Sequence, residues 1–138
     1  RRSSDLLAGM GGETMVAILS DAAWTREGTL LILEPQSKQN VLRRFLGENG
    51  YAVQTEELVK DAGRIYPILL ARGGPAPACS EVELYTGRLE QIAGDPLFPE
   101  YLSGLIKRAA AAAPYDDEAA ALLAAYKTIE ERINECRL

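Results

Sequence analysis

Three glycines stand within four positions of the stretch LLAGMGGETM, at Gly9, Gly11 and Gly12, directly after an apolar run. Glycine loses more chain entropy than other residues and offers no side chain for packing. It is therefore expected where the backbone needs a positive φ angle or where another molecule lies against the main chain. The stretch is a candidate binding site. The alternative is a tight turn that only packs a helix closely against a strand.

A second candidate, Glu34 to Gln36, follows the apolar run TLLIL at residues 29–33. In open α/β sheets, ligands bind beyond the carboxyl ends of the parallel strands. We therefore expect Gly9 to Gly12 and Glu34 to Gln36 to converge on one edge of a sheet. The glycine turn lacks the Lys-Ser/Thr of a Walker loop and the GxGxxG spacing, so a nucleotide phosphate site is the weaker interpretation.

The composition excludes several kinds of catalytic site. The 138 residues contain no histidine, so Ser-His-Asp and Cys-His nucleophiles and His-bearing metal sites are not possible in this chain. Cys79 and Cys136 form no CxxC pair, which argues against a zinc ribbon or a disulfide framework and favours a reducing, cytoplasmic location. We expect Cys79 to be a loop thiol, Cys136 to lie on a buried helix stripe, and no metal to be bound.

The net charge of −5 comes from the second half of the chain. Nine Lys and Arg balance nine Asp and Glu over residues 1–72, whereas residues 73–138 carry six against eleven. An acidic protein binds nucleic acid poorly by default, but the neutral half contains basic residues that could contact phosphates if they share a face: Arg1, Arg2, Lys38, Arg43 and Arg44. The alternative is a solvated helix face. The apolar runs are too short to cross a bilayer, so we expect no membrane partner.

Apolar periodicity predicts alternating strands and helices in the first half. SDLLAG is predicted as a short buried strand, and ETMVAILSDA as a helix with Met15, Ile18 and Leu19 at helical spacing. TLLIL is a second strand, apolar on both faces as in a parallel sheet covered by helices.

The helix predicted for SKQNVLRRFLGENG begins at Ser37 as N-cap and ends at Gly50. Its buried face comprises Val41, Leu42, Phe45 and Leu46, and Arg43 and Arg44 point away from that face. YAVQTEELVK and RIYPILLA, joined by DAG, then predict a hairpin. The predicted order is βαβαββ.

The Pro/Gly-rich stretch RGGPAPACSE predicts a boundary, so we expect domains at residues 1–74 and 75–138. Two antiparallel helices are predicted beyond it. The first carries Leu102, Leu105 and Ala109 on one stripe, and the second has a heptad seam of Leu122, Tyr126, Ile129, Ile133 and Cys136. We expect Ile129 and Ile133 to be buried against the helix of residues 99–113.

Five segments resemble, in order and spacing, the C-terminal part of the bacterial tRNA (adenine-N1)-methyltransferase family: LLAGMGGETMVAIL, LILEPQS, LRRFLGENGYAV, AGRIYPILLA and GDPLFPEYLS. The similarity covers nearly all of the chain, and AGMGG is its most specific motif. The resemblance implies an enzyme that uses S-adenosyl-L-methionine to methylate N1 of an adenine in tRNA. The expected fold class is α/β, with the distal half of a Rossmann-like methyltransferase sheet (βαβαββ) followed by an α-helical coiled-coil hairpin.

The resemblance also assigns site residues. Ala8, Gly9, Met10, Gly11 and Gly12 match the family's AGMGG after its fourth strand and are expected to bind the methyl donor. Glu34, Pro35 and Gln36 fall on the family's Gln-Pro-Asn after its fifth strand, from which this sequence departs at two of three positions. We expect catalytic roles for Glu34 and Met10, and substrate contacts from Pro35, Gln36, Arg43 and Arg44.

Further expectations follow from the family pattern. Gly63, Arg64 and Tyr66 match its Gly-Lys-x-Tyr in the last hairpin, and Pro67 replaces the usual Glu. Since proline lacks a ladder donor, we expect a bulge or interrupted pairing near Pro67. The implied strand order is 4-5-7-6, with strand 4 at an edge. The family's first glycine-rich loop and its acidic donor-binding residues would precede residue 1, so we expect the chain to be the distal half of the enzyme and inactive alone.

Two functions stay open. In a methyltransferase, adenine N1 attacks the sulfonium methyl in line, so the protein mainly orients two substrates and stabilises charge on the base. Glu34 or backbone carbonyls of Gly9 to Gly12 would accept hydrogen bonds from the exocyclic amine. The alternative is a non-catalytic interaction module whose helical hairpin binds a partner. An unpaired apolar edge at Ser4 to Ala8 also predicts a homodimer.

Overall fold

The structure, a computed structural model, describes residues 4–136. Arg1 and Arg2, named above as possible phosphate contacts, lie outside the described residues. The chain divides into two units, Arg1–Ile92 and Ala93–Leu138. The first unit contains β1 (Ser4–Met10), α1 (Gly12–Ser20), a short 3-10 helix (Ala23–Arg26), β2 (Leu30–Pro35), α2 (Gln39–Glu48), β3 (Tyr51–Asp61), β4 (Arg64–Gly73), α3 (Glu83–Thr86) and α4 (Leu89–Ile92).

The four strands form one sheet in the order β1-β2-β4-β3. β1 and β2 are parallel, as a strand-helix-strand unit requires, and the other two pairs are antiparallel. This order is the 4-5-7-6 order implied by the family resemblance, and it confirms β1 as an edge strand. The predicted βαβαββ succession is also confirmed.

One face of the sheet packs against α1 and α2. The buried core on this face comprises Met15, Leu19, Leu31, Leu33, Leu42, Leu46, Tyr51, Leu69 and Ala71. Ile18, predicted at helical spacing with Met15 and Leu19, does not belong to this core, because its side chain is 40% exposed. Leu31 and Leu33 of β2 and Leu69 and Ala71 of β4 all face this core. Because successive side chains of a strand point to opposite faces, the even-numbered residues between them lie on the other face of the sheet.

The prediction of a buried first strand is wrong. Among Ser4–Met10, side chains are exposed or half-buried, and Leu6 is 60% exposed. Only Leu7 and Met10 contact the core. The physical reason is that β1 has one neighbouring strand and helices on one face, so its second face and its free edge are open to solvent.

The hairpin is confirmed, but the irregularity expected at Pro67 is not there. Ala62 and Gly63 form the two-residue loop with φ of 51° and 78°, as a tight hairpin turn requires. Pro67 pairs in register with Leu58, and the register shift lies between Val53 and Thr55. Uninterrupted pairing at a residue without an N–H means that Pro67 occupies a non-hydrogen-bonded position of the β3–β4 ladder.

The second unit consists of α5 (Phe98–Ala112) and α6 (Asp117–Cys136). Its buried side chains include Tyr101, Leu102 and Ala109 of α5 and Ala119, Tyr126 and Ile129 of α6. Burial of Ile129 is confirmed, whereas Ile133 is half-buried and the expectation of a buried Cys136 is wrong because it is exposed. With 20 residues against 15, α6 is longer than α5, so its last turn extends past the helix that would cover it.

Candidate functional site

The two stretches singled out by the sequence meet at the carboxyl ends of β1 and β2. Ala8 pairs with Glu34 and Met10 with Pro35. Beyond the strands, the Gln36 N–H donates to the Met10 carbonyl at 2.9 Å, and the Gly12 N–H donates to the Ser37 carbonyl at 2.7 Å. We call residues 8–12 and 34–38 the rim. It is a single hydrogen-bonded structure rather than two neighbouring loops.

The positions of the rim glycines favour glycine for different physical reasons. Gly9 has φ of 72°, lies at the register shift between Ala8 and Met10, and a Cβ there would meet nothing within 4 Å. A Cβ on Gly12 would instead lie 2.2 Å from the Lys38 carbonyl oxygen. The tight packing turn, one of the two alternatives that the sequence leaves open, therefore applies to Gly12, whereas the space beside Gly9 is open.

Gly11 lies between these two cases. A Cβ there would approach the Ser37 Oγ at 2.8 Å, and this hydroxyl is the end of a side chain that can rotate away. Its φ of −75° is accessible to any residue. Substitution of Gly11 is thus mainly a question of side-chain rearrangement, whereas substitution of Gly12 requires backbone movement.

Lys38 completes the rim in a left-handed conformation, with φ of 54° and ψ of 40°. Its carbonyl accepts hydrogen bonds from the N–H groups of Val41 and Leu42, so Lys38 begins α2. The prediction of Ser37 as a side-chain N-cap is wrong, since no side chain caps this helix. A left-handed non-glycine residue costs on the order of 1 to 3 kcal/mol and persists where its surroundings hold it. Here the contact with Gly12 holds it.

The predicted site residues differ in accessibility. Ala8, Gly9 and Gln36 are exposed, and Met10, Gly11 and Glu34 are half-buried. Gly12 and Pro35 are buried. Because Leu33 faces the core, the side chain of Glu34 lies on the opposite, uncovered face of the sheet, next to Ala8.

Arg43 is not where the sequence analysis expects it. Its side chain is 4% exposed and forms an ion pair with Glu56, Nη2 to Oε1 at 2.8 Å, where the Glu56 side chain is 1% exposed. Its Nη1 also donates to the Leu84 carbonyl at 2.8 Å. The prediction that Arg43 points away from the buried face is therefore wrong: this guanidinium joins α2, β3 and α3 and offers no free face to a phosphate.

Gly87 makes room for this ion pair. With φ of 90°, it approaches the Glu56 carboxylate so closely that a Cβ would lie 2.8 Å from Oε2. The polarity of Arg43 and Glu56 hides the contact from an apolar-periodicity analysis.

Arg44 behaves as the sequence predicts. It is exposed, and its Nη2 lies 2.9 Å from Glu81 Oε2 in an ion pair whose side chains are 51% and 79% exposed. Such a pair is worth about 0 to 1 kcal/mol. Arg44 can therefore exchange Glu81 for another anion at little cost.

The segment after the sheet is held by Glu83 and leaves Cys79 beside a small cavity. Burial raises the pKa of Glu83, but hydrogen bonds from the N–H groups of Leu89 and Ser80 and from the Ser80 hydroxyl lower it more, so the net pKa is below its usual value. Burial of its sulfur, followed by the Glu83 charge, raises the pKa of Cys79. The cavity, about 50 Å³, is too small for a substrate. Cys79 is thus a protonated loop thiol, not an activated nucleophile.

Comparison with known proteins identifies methyltransferases that this chain is similar to. The methyltransferase domain family matches residues 3–69. A Mycoplasma pneumoniae protein provisionally named a tRNA methyltransferase is 31% identical over 105 residues, which cover 74% of this chain and 48% of the relative. The chain is similar to methyltransferases, and to a relative named for tRNA methylation. It spans about half the length of this curated relative.

Solved structures of methyltransferases share the fold. A Streptococcus pneumoniae protein, provisionally named a tRNA (m1A22) methyltransferase and solved with S-adenosyl-L-methionine, matches with a TM-score of 0.81 at 24% identity, over 93% of this chain and 60% of that one. The Bacillus subtilis m1A22 tRNA methyltransferase TrmK matches with a TM-score of 0.68 at 19% identity, over 96% and 62%. The chain therefore has the Rossmann-like fold of these methyltransferases, as the resemblance implies.

Two kinds of feature are absent from residues 4–136. No helix there is long and apolar enough to cross a membrane. Within the same residues, no group of three or more Cys, Asp and Glu side chains is arranged to hold a metal ion.

Proposed function

We propose that this chain is part of an S-adenosyl-L-methionine-dependent enzyme that methylates N1 of an adenine in tRNA. The observation that carries the proposal is the rim: the family's AGMGG and the Glu34 to Gln36 turn are joined by the hydrogen bond from the Gln36 N–H to the Met10 carbonyl. Support comes from the tRNA methyltransferase name of the Mycoplasma pneumoniae relative and from the bound S-adenosyl-L-methionine of the Streptococcus pneumoniae structure. None of the comparisons supports the alternative of a non-catalytic interaction module.

The rim fits one side of a methyl donor. Ala8 and Gly9 are exposed, and the space beside Gly9 is open, so a ligand can reach their main chain and that of Met10. Ser37 and Lys38 occupy the space next to Gly11 and Gly12, so these two glycines pack against the Ser37–Lys38 turn rather than contact the ligand. We assign donor contact to Ala8, Gly9 and Met10, and shaping of the rim to Gly11 and Gly12.

Bound S-adenosyl-L-methionine supplies a methyl group on a positively charged sulfur. The adenine N1 lone pair takes that methyl, so the residues of this chain must hold the base in line and accommodate the charge that develops on it. We assign this role to Glu34, whose side chain lies beside Ala8 on the face of the sheet opposite α1 and α2 and can accept a hydrogen bond from the adenine amine. Met10 acts through its carbonyl, which positions Gln36.

Substrate contacts are proposed for Gln36 and Arg44. Gln36 is exposed at the rim, and Arg44 can exchange the exposed Glu81 for a phosphate. Pro35 is buried and fixes the turn between Glu34 and Gln36. Arg43 is left out of the substrate contacts because its guanidinium is buried against Glu56 and Leu84.

The full-length protein encoded by the gene should methylate unmodified tRNA transcript in the presence of S-adenosyl-L-methionine. Reverse transcription reads the product, since a methyl group on adenine N1 blocks base pairing and arrests extension at the modified nucleotide. We expect one arrest site, and its loss when S-adenosyl-L-methionine is omitted. A Glu34→Ala variant should transfer methyl groups at least about tenfold more slowly, as for loss of one catalytic hydrogen bond. Full activity of wild type on a protein or small molecule, with none on tRNA, would refute the proposal.

Residues 1–138 alone should bind S-adenosyl-L-methionine negligibly. The rim offers one wall of a pocket, and one wall cannot enclose the donor as ligand sites usually do. We also propose that the free edge at Ser4 to Ala8, with Leu6 60% exposed, pairs two copies of the chain. Calorimetric titration measures donor binding by residues 1–138, and sedimentation measures whether two copies associate. Micromolar donor binding by a monomer would contradict both expectations.

Finer features of the protein are part of the same proposal. We propose that the α5–α6 pair extends the coiled-coil domain typical of the family, and that the enzyme acts in the cytoplasm, where unpaired Cys79 and Cys136 stay reduced.

A further inference from the structure

The β3–β4 hairpin projects past the rim. Pairing between β2 and β4 ends at Leu33 opposite Leu69, whereas pairing between β3 and β4 continues to Asp61 opposite Arg64. β4 is antiparallel to β2, so its first residues lie beyond the carboxyl end of β2. At about 3.4 Å per residue, Arg64 lies roughly 10 Å beyond the level of Pro35.

Arg64 and Tyr66 lie on the same face of the sheet as Glu34. Leu33 and Leu69 face the core, so by strand alternation Glu34, Tyr66 and Arg64 all face the uncovered side. The hairpin tip therefore lies on the same face of the sheet as the residue assigned to the adenine amine, beyond the carboxyl ends of the parallel strands, where ligands of open α/β sheets bind.

The guanidinium of Arg64 is held in place although it is exposed. Its Cζ lies 5.6 Å from the centroid of the Tyr66 ring, within the range of a cation–π contact. An arginine stacked on an aromatic ring loses little further side-chain entropy on binding, and the stacking leaves the N–H groups at the edge of the guanidinium plane able to donate hydrogen bonds. These are the properties of a preorganised phosphate contact.

We propose that Arg64, oriented by Tyr66, binds a phosphate of the tRNA backbone beside the target adenine. This inference rests on the proposed function, since it takes tRNA as the substrate. It adds a specific positioning contact outside the rim. Asp61, opposite Arg64 in the ladder, limits the positive charge of the tip, so the contact is local rather than a broad basic patch.

The chain contains a matched control at the other end of the sheet. Arg26 is exposed and its Cζ lies 5.7 Å from the centroid of Tyr51, so its chemistry and geometry resemble those of the Arg64 pair. Arg26 precedes β2, and Tyr51 is paired with Gly73 at the end of β4, which places this pair at the sheet edge opposite the rim.

The test compares Arg64→Gln, Arg64→Lys and Arg26→Gln in the full-length enzyme. Binding of unmodified tRNA transcript is measured by filter retention from about 0.05 to 0.3 M salt, and donor affinity by calorimetry. We expect Arg64→Gln to weaken tRNA binding about tenfold at low salt, as for one lost charge-assisted contact. The slope of log K against log salt should fall by roughly 0.7 to 0.9.

Donor affinity should be unchanged in all three variants. Arg64→Lys keeps the charge and loses the planar stacking, so it should keep the slope and recover part of the affinity. Arg26→Gln should match wild type in affinity and slope.

Equal tRNA binding by Arg64→Gln and wild type overturns the inference and leaves the proposed function standing, provided that wild type methylates tRNA. Equal losses in Arg64→Gln and Arg26→Gln also overturn it, because binding would then follow net charge alone. A wild-type enzyme that neither binds nor methylates tRNA overturns both.

Discussion

Arg43→Ala should lower the free energy of unfolding by about 3 to 5 kcal/mol, because it leaves the Glu56 carboxylate buried without its cationic partner. The Glu56 side chain is 1% exposed, so water cannot replace the guanidinium without opening the packing between α2, β3 and α3. Urea denaturation followed by circular dichroism measures the change. A loss of this size would account for a large part of the stability of a typical domain.

Arg44→Ala is the matched control. The two arginines are adjacent in α2, each forms an ion pair of nearly the same length, 2.8 and 2.9 Å, and each substitution changes helix propensity equally. They differ in burial, so Arg44→Ala should cost only about 0 to 1 kcal/mol. Equal losses in the two variants would show that burial of the Arg43–Glu56 pair has no energetic consequence.

The double variant Arg43→Met with Glu56→Leu tests whether the unpaired Glu56 carboxylate causes the loss in Arg43→Ala. Replacing a buried ion pair by apolar residues of similar volume is often neutral or stabilising. We therefore expect the double variant to be more stable than Arg43→Ala. If the double variant were as unstable as the single one, the unpaired Glu56 carboxylate would not be the cause of the loss in Arg43→Ala.

Most of the sheet could be predicted from the sequence because its signals are local or follow a known family. The continuous apolar run of β2, the glycine turn after β1 and the DAG hairpin signature each predict their element, and the family resemblance supplied the strand order. The exposure of β1 could not be predicted from its residues, because an apolar pair such as Leu6 and Leu7 occurs in core strands and in edge strands alike. Which strand lacks a neighbour is a property of the whole sheet.

Long-range polar contacts also could not be predicted from the sequence. Arg43 contacts Glu56 and Leu84, which are 13 and 41 positions away. An arginine in an amphipathic helix has the same local pattern whether it reaches solvent or a buried carboxylate. Likewise, Ser37 has the residue type of an N-cap, but the left-handed Lys38 begins α2 instead because its carbonyl packs against Gly12.

Gly12→Ala should reduce methyl transfer by the full-length enzyme by about 100-fold, through displacement of the rim by roughly an ångström. The added Cβ would lie 2.2 Å from the Lys38 carbonyl oxygen and 2.9 Å from its carbon, and both are backbone atoms that cannot rotate away. α1 and the start of α2 must separate, which shifts the Gln36 to Lys38 turn relative to Gly9. We also expect a loss of about 1 to 3 kcal/mol in stability, as for overpacking of a close contact.

Gly47→Ala is the control for the change of residue type. Gly47 lies in α2, is exposed, and a Cβ there would meet nothing within 4 Å. Removing a glycine from a helix should stabilise the protein by about 0.5 to 1 kcal/mol and leave activity unchanged. Kinetics at saturating tRNA and donor, measured below the melting temperature of each variant, separate misplacement from unfolding. If Gly12→Ala kept full kcat, the close approach of Gly12 and Lys38 would not determine the geometry of the reacting groups, and the rim would serve stability alone.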